Sequence, residues 1–339
     1  MGISVTSIPI RARDLGIATG PYSPGPLNAI TDVPGIRVGQ TTLNIGSDIR
    51  TGVTAIVPPR LPLPAGFFVG NGYGKLIGAT QLVELGEIET PILLTGTLSA
   101  FRVADALVSY MLAQPGNEEV VSVNPIVGET NDGFLSDIRL RPITERHVLD
   151  TITSASSGPV AEGCVGAGTG TTALGYKAGI GTSSRLVGEN LLGVLVQANF
   201  GGTLTVDGHR IPASPDEEIE RGNSCMIVVA TDAPLDSRQL RRLATRAVFA
   251  MARVGANFSH GSGDYGIAFS TGEGANLSES AIDPYLFAVQ DAVEEALLNS
   301  LIAAETTVGF RGRVRHAVAH EAIRATLCNT YGSTRSTPE

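Results

Sequence analysis

Tryptophan is absent from this chain, aromatic residues make up only 5% of it, and only three cysteines occur. Cys164, Cys225 and Cys328 lie far apart, which excludes a disulfide framework and any CxxC metal ribbon and leaves three free thiols. Charge is also scarce: 17% of residues are Asp, Glu, Lys or Arg, against the usual ~25%. So weakly charged a surface suggests that other subunits cover part of it. Basic residues are the minority, 24 against 33 acidic ones, and the net charge of −9 excludes nucleic acid and anionic membranes as partners. No apolar run reaches the ~18 residues of a membrane span. Met1 to Gly16 holds no signal-peptide core, which predicts a soluble, cytoplasmic protein.

What is abundant is glycine, 41 residues, and a 42% share of hydrophobic ones. A chain of 339 residues has the length of about two domains, but no linker, repeat or low-complexity tract divides it, so one domain over 1–339 is expected. Strand-like runs cover Ile36–Thr42, Val53–Val57, Ile92–Thr95, Val120–Val127, Leu191–Asn199, Thr203–Val206 and Gly266–Ser270; Pro125 argues for an edge position for the fourth. Helical spacing covers Lys75–Leu85 and Ala100–Leu112, and Thr144 is placed to cap a helix through Ile152. Asp236 caps a further helix closed by Gly255, Asp283-Pro284 opens the longest, and a last short one spans Ala317–Leu327. Helices layered over packed sheets satisfy this pattern best.

One stretch organises the rest. The acidic segment Glu217-Glu218-Ile219-Glu220-Arg221-Gly222 stops at Asn223, and from Cys225 the chain runs Met-Ile-Val-Val-Ala as a buried strand. Ser224 stands on the seam. Either it is punctuation before a strand, or the Asn223–Ser224 bond is cut and Ser224 becomes a new N-terminus with a hydroxyl and an amine together. A serine hydroxyl needs a nearby base, and no well-placed histidine supplies one. An N-terminal α-amine, with a pKa of about 7.7–8.0, is such a base.

Four other stretches bear chemistry. Gly166-Ala167-Gly168-Thr169-Gly170-Thr171-Thr172 lacks the Lys of a phosphate loop and reads as a tight turn lining a pocket. Gly128-Glu129-Thr130-Asn131-Asp132-Gly133 ends a strand, as a turn or as a carboxylate that holds a substrate ammonium. Asn199, before Phe200-Gly201-Gly202, either caps a turn or donates its amide to an oxyanion. In Ser259-His260-Gly261-Ser262-Gly263-Asp264 the residues are too close in sequence for a Ser-His-Asp triad, but Ser262 and Asp264, two apart, point the same way if extended.

Taken with Asn28-Ala29-Ile30-Thr31-Asp32-Val33-Pro34-Gly35, Gly52-Val53-Thr54-Ala55-Ile56 and Asn71-Gly72-Tyr73-Gly74, these stretches make the chain resemble the DmpA-type aminopeptidases, or β-peptidyl aminopeptidases, over nearly its full length. The resemblance implies a four-layer αββα sandwich akin to N-terminal nucleophile hydrolases. It implies self-cleavage between Asn223 and Ser224 into an α chain 1–223 and a β chain 224–339, with Ser224 as the nucleophile. By the same resemblance Ser262 and Asp264 assist, Asn199 supplies the oxyanion amide, and Glu129, with Asn131 beside it, binds the substrate amine. Asp264 stands where some members carry Glu. The implied activity removes N-terminal β-amino acids, D-Ala derivatives or small L-residues from short peptides, amides or esters. The resemblance implies neither metal nor organic cofactor, and it implies a homotetramer of αβ units. Two alternatives stand beside it: an acyltransferase of the ornithine acetyltransferase type, against which a serine rather than a threonine counts, and a non-catalytic binder of small ligands.

Overall fold

The structure, a computed structural model, describes residues 9–212 and 223–332, so the acidic segment before Asn223 lies outside the described residues. Two mixed sheets stack face to face, and helices cover both outer faces. The first sheet joins β1 (Arg37–Ile45), β2 (Ile49–Val57), β6 (Ile92–Gly96), β7 (Ile126–Thr130) and β4 (Leu76–Ile77) in the order β1-β2-β6-β7-β4. The second joins β8 (Ile180–Val187), β9 (Asn190–Asn199), β10 (Ser224–Thr231), β11 (Gly263–Ser270), β3 (Leu63–Gly72) and β5 (Glu87–Ile88) in the order β8-β9-β10-β11-β3-β5. Each sheet holds one parallel pair, β6 with β7 and β10 with β11, among antiparallel neighbours. A parallel pair needs a crossover, and α2 (Ala100–Leu112) and α4 (Ser237–Ala250) supply it.

Three apolar clusters separate the layers. Leu93, Val103, Leu107 and Val148 fill the space between the first sheet and α2 with α3 (Glu145–Thr153). Leu94, Ile126, Leu195, Met226 and Val228 meet between the sheets. Ile227, Val229, Leu243, Val289 and Leu297 pack the second sheet against α4 and α5 (Asp283–Ile302). The fold is therefore the expected αββα sandwich. Side chains alternate in and out along each strand, and both faces of β10 are covered, which is why its sequence is apolar without alternation. The start of α4 is held as anticipated: the Asp236 carboxylate accepts the Gln239 N–H at 2.7 Å, and the Gln239 side chain accepts the Asp236 N–H at 3.2 Å. The last helix, α6, runs His320–Gly332, starting later than its sequence pattern suggests.

Other expectations fail for local reasons. The helix over Lys75–Leu85 is cut at Gly78, whose φ of +85° belongs to the left-handed region; only α1 (Ala79–Glu84) remains, and Lys75 falls in the turn before β4. The strand over Val120–Val127 starts only at Ile126. It lies inside its sheet, because Pro125 precedes the first paired residue and removes no ladder donor. Two long strands carry no recognisable pattern. β3 is interrupted by Pro64, Gly66 and Gly70, and Gly66 is required there, since a Cβ would lie 2.0 Å from the Arg241 nitrogen of α4. β8 buries Thr182, Ser183, Ser184 and Arg185, polar residues that bond elsewhere in the fold.

The sheets come close where Gly128 of β7 meets Met226 of β10; a Cβ on Gly128 would lie 2.7 Å from the methionine sulfur. That approach sets Glu129, next along β7, over the first residues of β10.

Candidate active site

Ser224 is the first residue of β10 and is buried. It registers with Asn199, the last residue of β9, on one side and with Gly263, the first of β11, on the other. Directly opposed residues of an antiparallel pair project from the same face, so Ser224 and Asn199 present their side chains together toward the gap between the sheets. The Ser224 hydroxyl lies 2.6 Å from the carbonyl oxygen of Asn223, to which it donates. The same carbonyl accepts the Gly263 N–H at 3.2 Å. An oxyanion formed on that oxygen therefore already faces a backbone donor.

Asn199 is held by its oxygen, which accepts the Thr172 N–H at 3.1 Å, so the amide nitrogen is its donor end. Two residues back on the same face, Gln197 bridges the sheets by donating to the carbonyls of Thr95 and Ala167 at 3.1 and 2.9 Å. This stretch is no turn cap; it is the end of a long strand buried from Leu192 to Asn199.

Ser262 donates to Asp264 at 2.8 Å, and both are buried. Asp264 registers with Cys225, on the opposite face of the sheet from the Ser224 hydroxyl. The pair thus lies beside the backbone of residues 223–225. Burial raises the Asp264 pKa, against the lowering effect of hydrogen bonds from Ser262 and Asn71. Asn71 also donates to the carbonyls of Phe258 and Ser259, which fixes the loop that carries Ser262. Cys225 is excluded as a rival nucleophile: burial, then the Asp264 charge, push its thiol pKa well up, and a protonated thiol is inert. His260 is exposed, its ring against Tyr73, and serves no nucleophile.

Glu129 is 1% exposed. Its Oε1 accepts the Lys75 main-chain N–H at 2.8 Å and the Lys75 ammonium at 3.3 Å, while Oε2 is buried without a partner. A Cβ on Gly74 would lie 3.3 Å from the Gly263 Cα and 3.4 Å from Glu129 Oε1, so this glycine alone separates the carboxylate from the strand beside Ser224. Asn131 turns away from such a role, its oxygen accepting the Gly133 N–H at 2.9 Å in a local turn. Asp132 is buried deeper. Desolvation lifts its pKa to about 7, against a hydrogen bond from Thr51. An apolar recess of about 490 Å³, bounded by Phe67, Val69, Leu76, Val83 and Tyr265, opens beside Gly74. Gly166–Gly168 forms a buried 3-10 turn packed against β2. Among the described residues, no group of three or more His, Cys, Asp or Glu could hold a metal ion, and no helix is long and apolar enough to cross a membrane.

Ser224, Asn199, Glu129 and the Ser262–Asp264 pair thus converge on one end of the second sheet. Residues 28–315 match the model of peptidase family S58. The chain belongs to that family. It is 38% identical to β-peptidyl aminopeptidase BapA of Sphingosinicella microcystinivorans, over 94% of this chain and 91% of the relative. Among solved structures, the Burkholderia sp. β-aminopeptidase superposes with a TM-score of 0.86 at 37% identity, covering 97% of this chain and all of the other. The L-aminopeptidase D-Ala-esterase/amidase of Ochrobactrum anthropi, described as a variant of the Ntn hydrolase fold, gives a TM-score of 0.87 at 35% identity, over 95% of this chain and 99% of its own. This S58 chain shares that Ntn variant. Lys75 and the Gly263 N–H are parts of the site that no sequence pattern singles out, and Asn71 stood in a stretch quoted for the resemblance with no role attached. Only the runs of Gly72, Gly74 and Gly78 around Lys75 hinted that the backbone there is not helical.

Proposed function

We propose that this S58 aminopeptidase matures by cutting itself before Ser224 and then removes N-terminal residues, β-linked ones among them, through an acyl-enzyme on Ser224. The observation that carries the reading is the contact of the Ser224 hydroxyl with the Asn223 carbonyl, whose oxygen the Gly263 N–H already polarises. The hydroxyl oxygen adds to the carbonyl carbon, and the negative charge on the oxygen meets the Gly263 donor. The C–N bond breaks, the hydroxyl proton passes to the departing nitrogen, and Ser224 carries Asn223 as an ester. The α-amine is free from that point; water then hydrolyses the ester, Asn223 leaves as a carboxylate, and Ser224 regains its hydroxyl beside the amine.

That amine then takes the proton from the hydroxyl it shares a residue with, in the manner of other N-terminal nucleophiles. The Ser262–Asp264 pair, beside the backbone at this point, orients the amine, and the Asn199 amide donates to the substrate oxyanion. Glu129 receives the ammonium of a free N-terminus. The relatives named β-peptidyl aminopeptidase support β-aminoacyl groups as substrates. The exposed Tyr73, Val83 and Leu85, contributed by β3, α1 and the segments beside them, support a covered surface in a homotetramer.

Denaturing electrophoresis of Ser224→Ala tests the scheme. Wild-type protein should resolve into two chains of 223 and 116 residues, and the variant should remain a single 339-residue chain. Its peptidase activity should fall by at least about a thousandfold, since removing a nucleophile leaves only binding and the oxyanion site. A variant that still cuts itself, or still turns over peptides, refutes the role.

A further inference from the structure

The carboxylate placed to receive a substrate's amine already has a cation on it. Lys75 holds Glu129 Oε1 twice, by its main-chain N–H and by its ammonium, and the ammonium also donates to Thr97 at 2.8 Å. Two of its three N–H donors are engaged. The Lys75 side chain is 40% exposed and reaches the site from its rim, whereas the Glu129 side chain is 2% exposed. The buried Oε2, with no partner, remains open to a donor.

Charge decides what fits. Glu129 and Lys75 together form a neutral pair. A bare ammonium arriving at Oε2 finds a carboxylate already matched and a like charge at its side. Repulsion from the Lys75 ammonium, partly screened at the rim where it sits, weakens its binding. A ligand that brings a carboxylate next to its ammonium reverses the sign of that interaction. Its ammonium meets Oε2, its carboxylate meets the third donor of Lys75, and four charges alternate around one small square.

Resting on the reading of Ser224 as nucleophile and Glu129 as amine clamp, we propose that Lys75 makes this subsite a receptor for an amino-acid zwitterion. The acyl group it selects carries amine and carboxylate on one carbon and reacts at a carbonyl farther along. For a β-aminoacyl group that description is an N-terminal aspartyl residue linked through its side-chain carbonyl, an isoaspartyl peptide or aspartyl β-amide. Ser224 Oγ forms the bond to that carbonyl carbon, and the bond to the leaving amine breaks. The hydroxyl proton travels by the α-amine to the leaving group, and water then releases aspartate. No redox partner is required. Lys75 is a specificity-determining residue here, not a catalytic one.

The test compares kcat/KM of the mature enzyme on three p-nitroanilides: aspartate β-anilide, aspartate α-anilide and β-alanine anilide. Wild type should prefer the aspartate β-anilide to the other two by about tenfold or more. Lys75→Met should lose about tenfold or more on that substrate, mainly through KM, and lose much less on β-alanine anilide, so that the preference between the two shrinks severalfold or more. Lys75→Arg should restore most of the loss. Self-cleavage of both variants into two chains reports that the site is folded. A Lys75→Met variant that changes all three substrates by one factor overturns the proposal, as does a wild type that prefers β-alanine anilide. An aspartate α-anilide cleaved as well as the β-anilide overturns the β linkage. If wild type cleaves no anilide and Ser224→Ala changes nothing, the peptidase reading falls and takes this proposal with it; β-alanine anilide cleaved alone sinks only the role of Lys75.

Discussion

Asp132 shows how one residue sets a property of the whole enzyme. Its carboxyl is fully buried, Oδ2 has no partner, and desolvation lifts its pKa to about 7. An unfolded chain releases this proton near pH 3.8, the native state only near 7. Between those values the native state binds the extra proton, so its stability is greatest at low pH and is lost as pH rises through 7. From pH 5 to 7.5 the loss amounts to roughly 2–3 kcal/mol at 1.36 kcal/mol per unit. Asp132→Asn has the same shape and nothing to ionise. Urea melts of the two proteins at pH 5 and pH 7.5 should therefore diverge, wild type weakening by that amount relative to the variant. Equal slopes with pH would show that Asp132 stays ionised. Of the residues the sequence singles out, Ser224, Asn199 and the Ser262–Asp264 pair stand at one end of the second sheet, and Glu129 faces them from the first. Lys75 was not legible in this way, because its role follows from a turn at Gly78 rather than from its neighbours in sequence.

Elements were legible where one physical signal dominated them. α2 matches its apolar spacing from Ala100 to Leu112, and β10 its continuous apolar run. β8 escaped because its buried side chains are polar and are satisfied by distant partners that no local pattern encodes. The most costly of these is Arg185, whose guanidinium is fully buried against Glu295 of α5 at 2.7 Å. Arg13 of the N-terminal arm and Asn28 reach the same carboxylate. Burial alone would raise the Glu295 pKa, but Arg185 and then these other partners hold it below the usual range. Glu295→Ala leaves Arg185 charged, buried and unpaired, which typically costs 3–5 kcal/mol. Thermal melts should show a large loss for that variant and no measurable one for Glu279→Ala, whose ion pairs with Arg238 and Arg242 are solvated. If both variants melt together, the network does not hold β8 to α5.

At the scale of the molecule, the layering determines what self-cleavage leaves behind. The proposed cut before Ser224 would divide the second sheet in an uneven way. β10 and β11 would go to the new chain, but β9 pairs with β10 on one side and β3 with β11 on the other, and both would stay with the first chain. The two strands of the small fragment are thus enclosed by strands of the large one, and α4 and α5 close over them through the apolar cluster that both fragments share. No subset of these layers buries its own core. The cut protein should therefore behave as one body: gel filtration without denaturant should give a single peak carrying both chains in equal number, while denaturing electrophoresis separates them. The 116-residue chain expressed alone should be insoluble or unfolded by circular dichroism, because its strands would expose two unpaired edges. Separate elution of the fragments under native conditions would mean that the first chain does not enclose β10 and β11. The free amine of Ser224 would then have no fixed place beside Asn199 and Glu129, since those residues belong to the other chain.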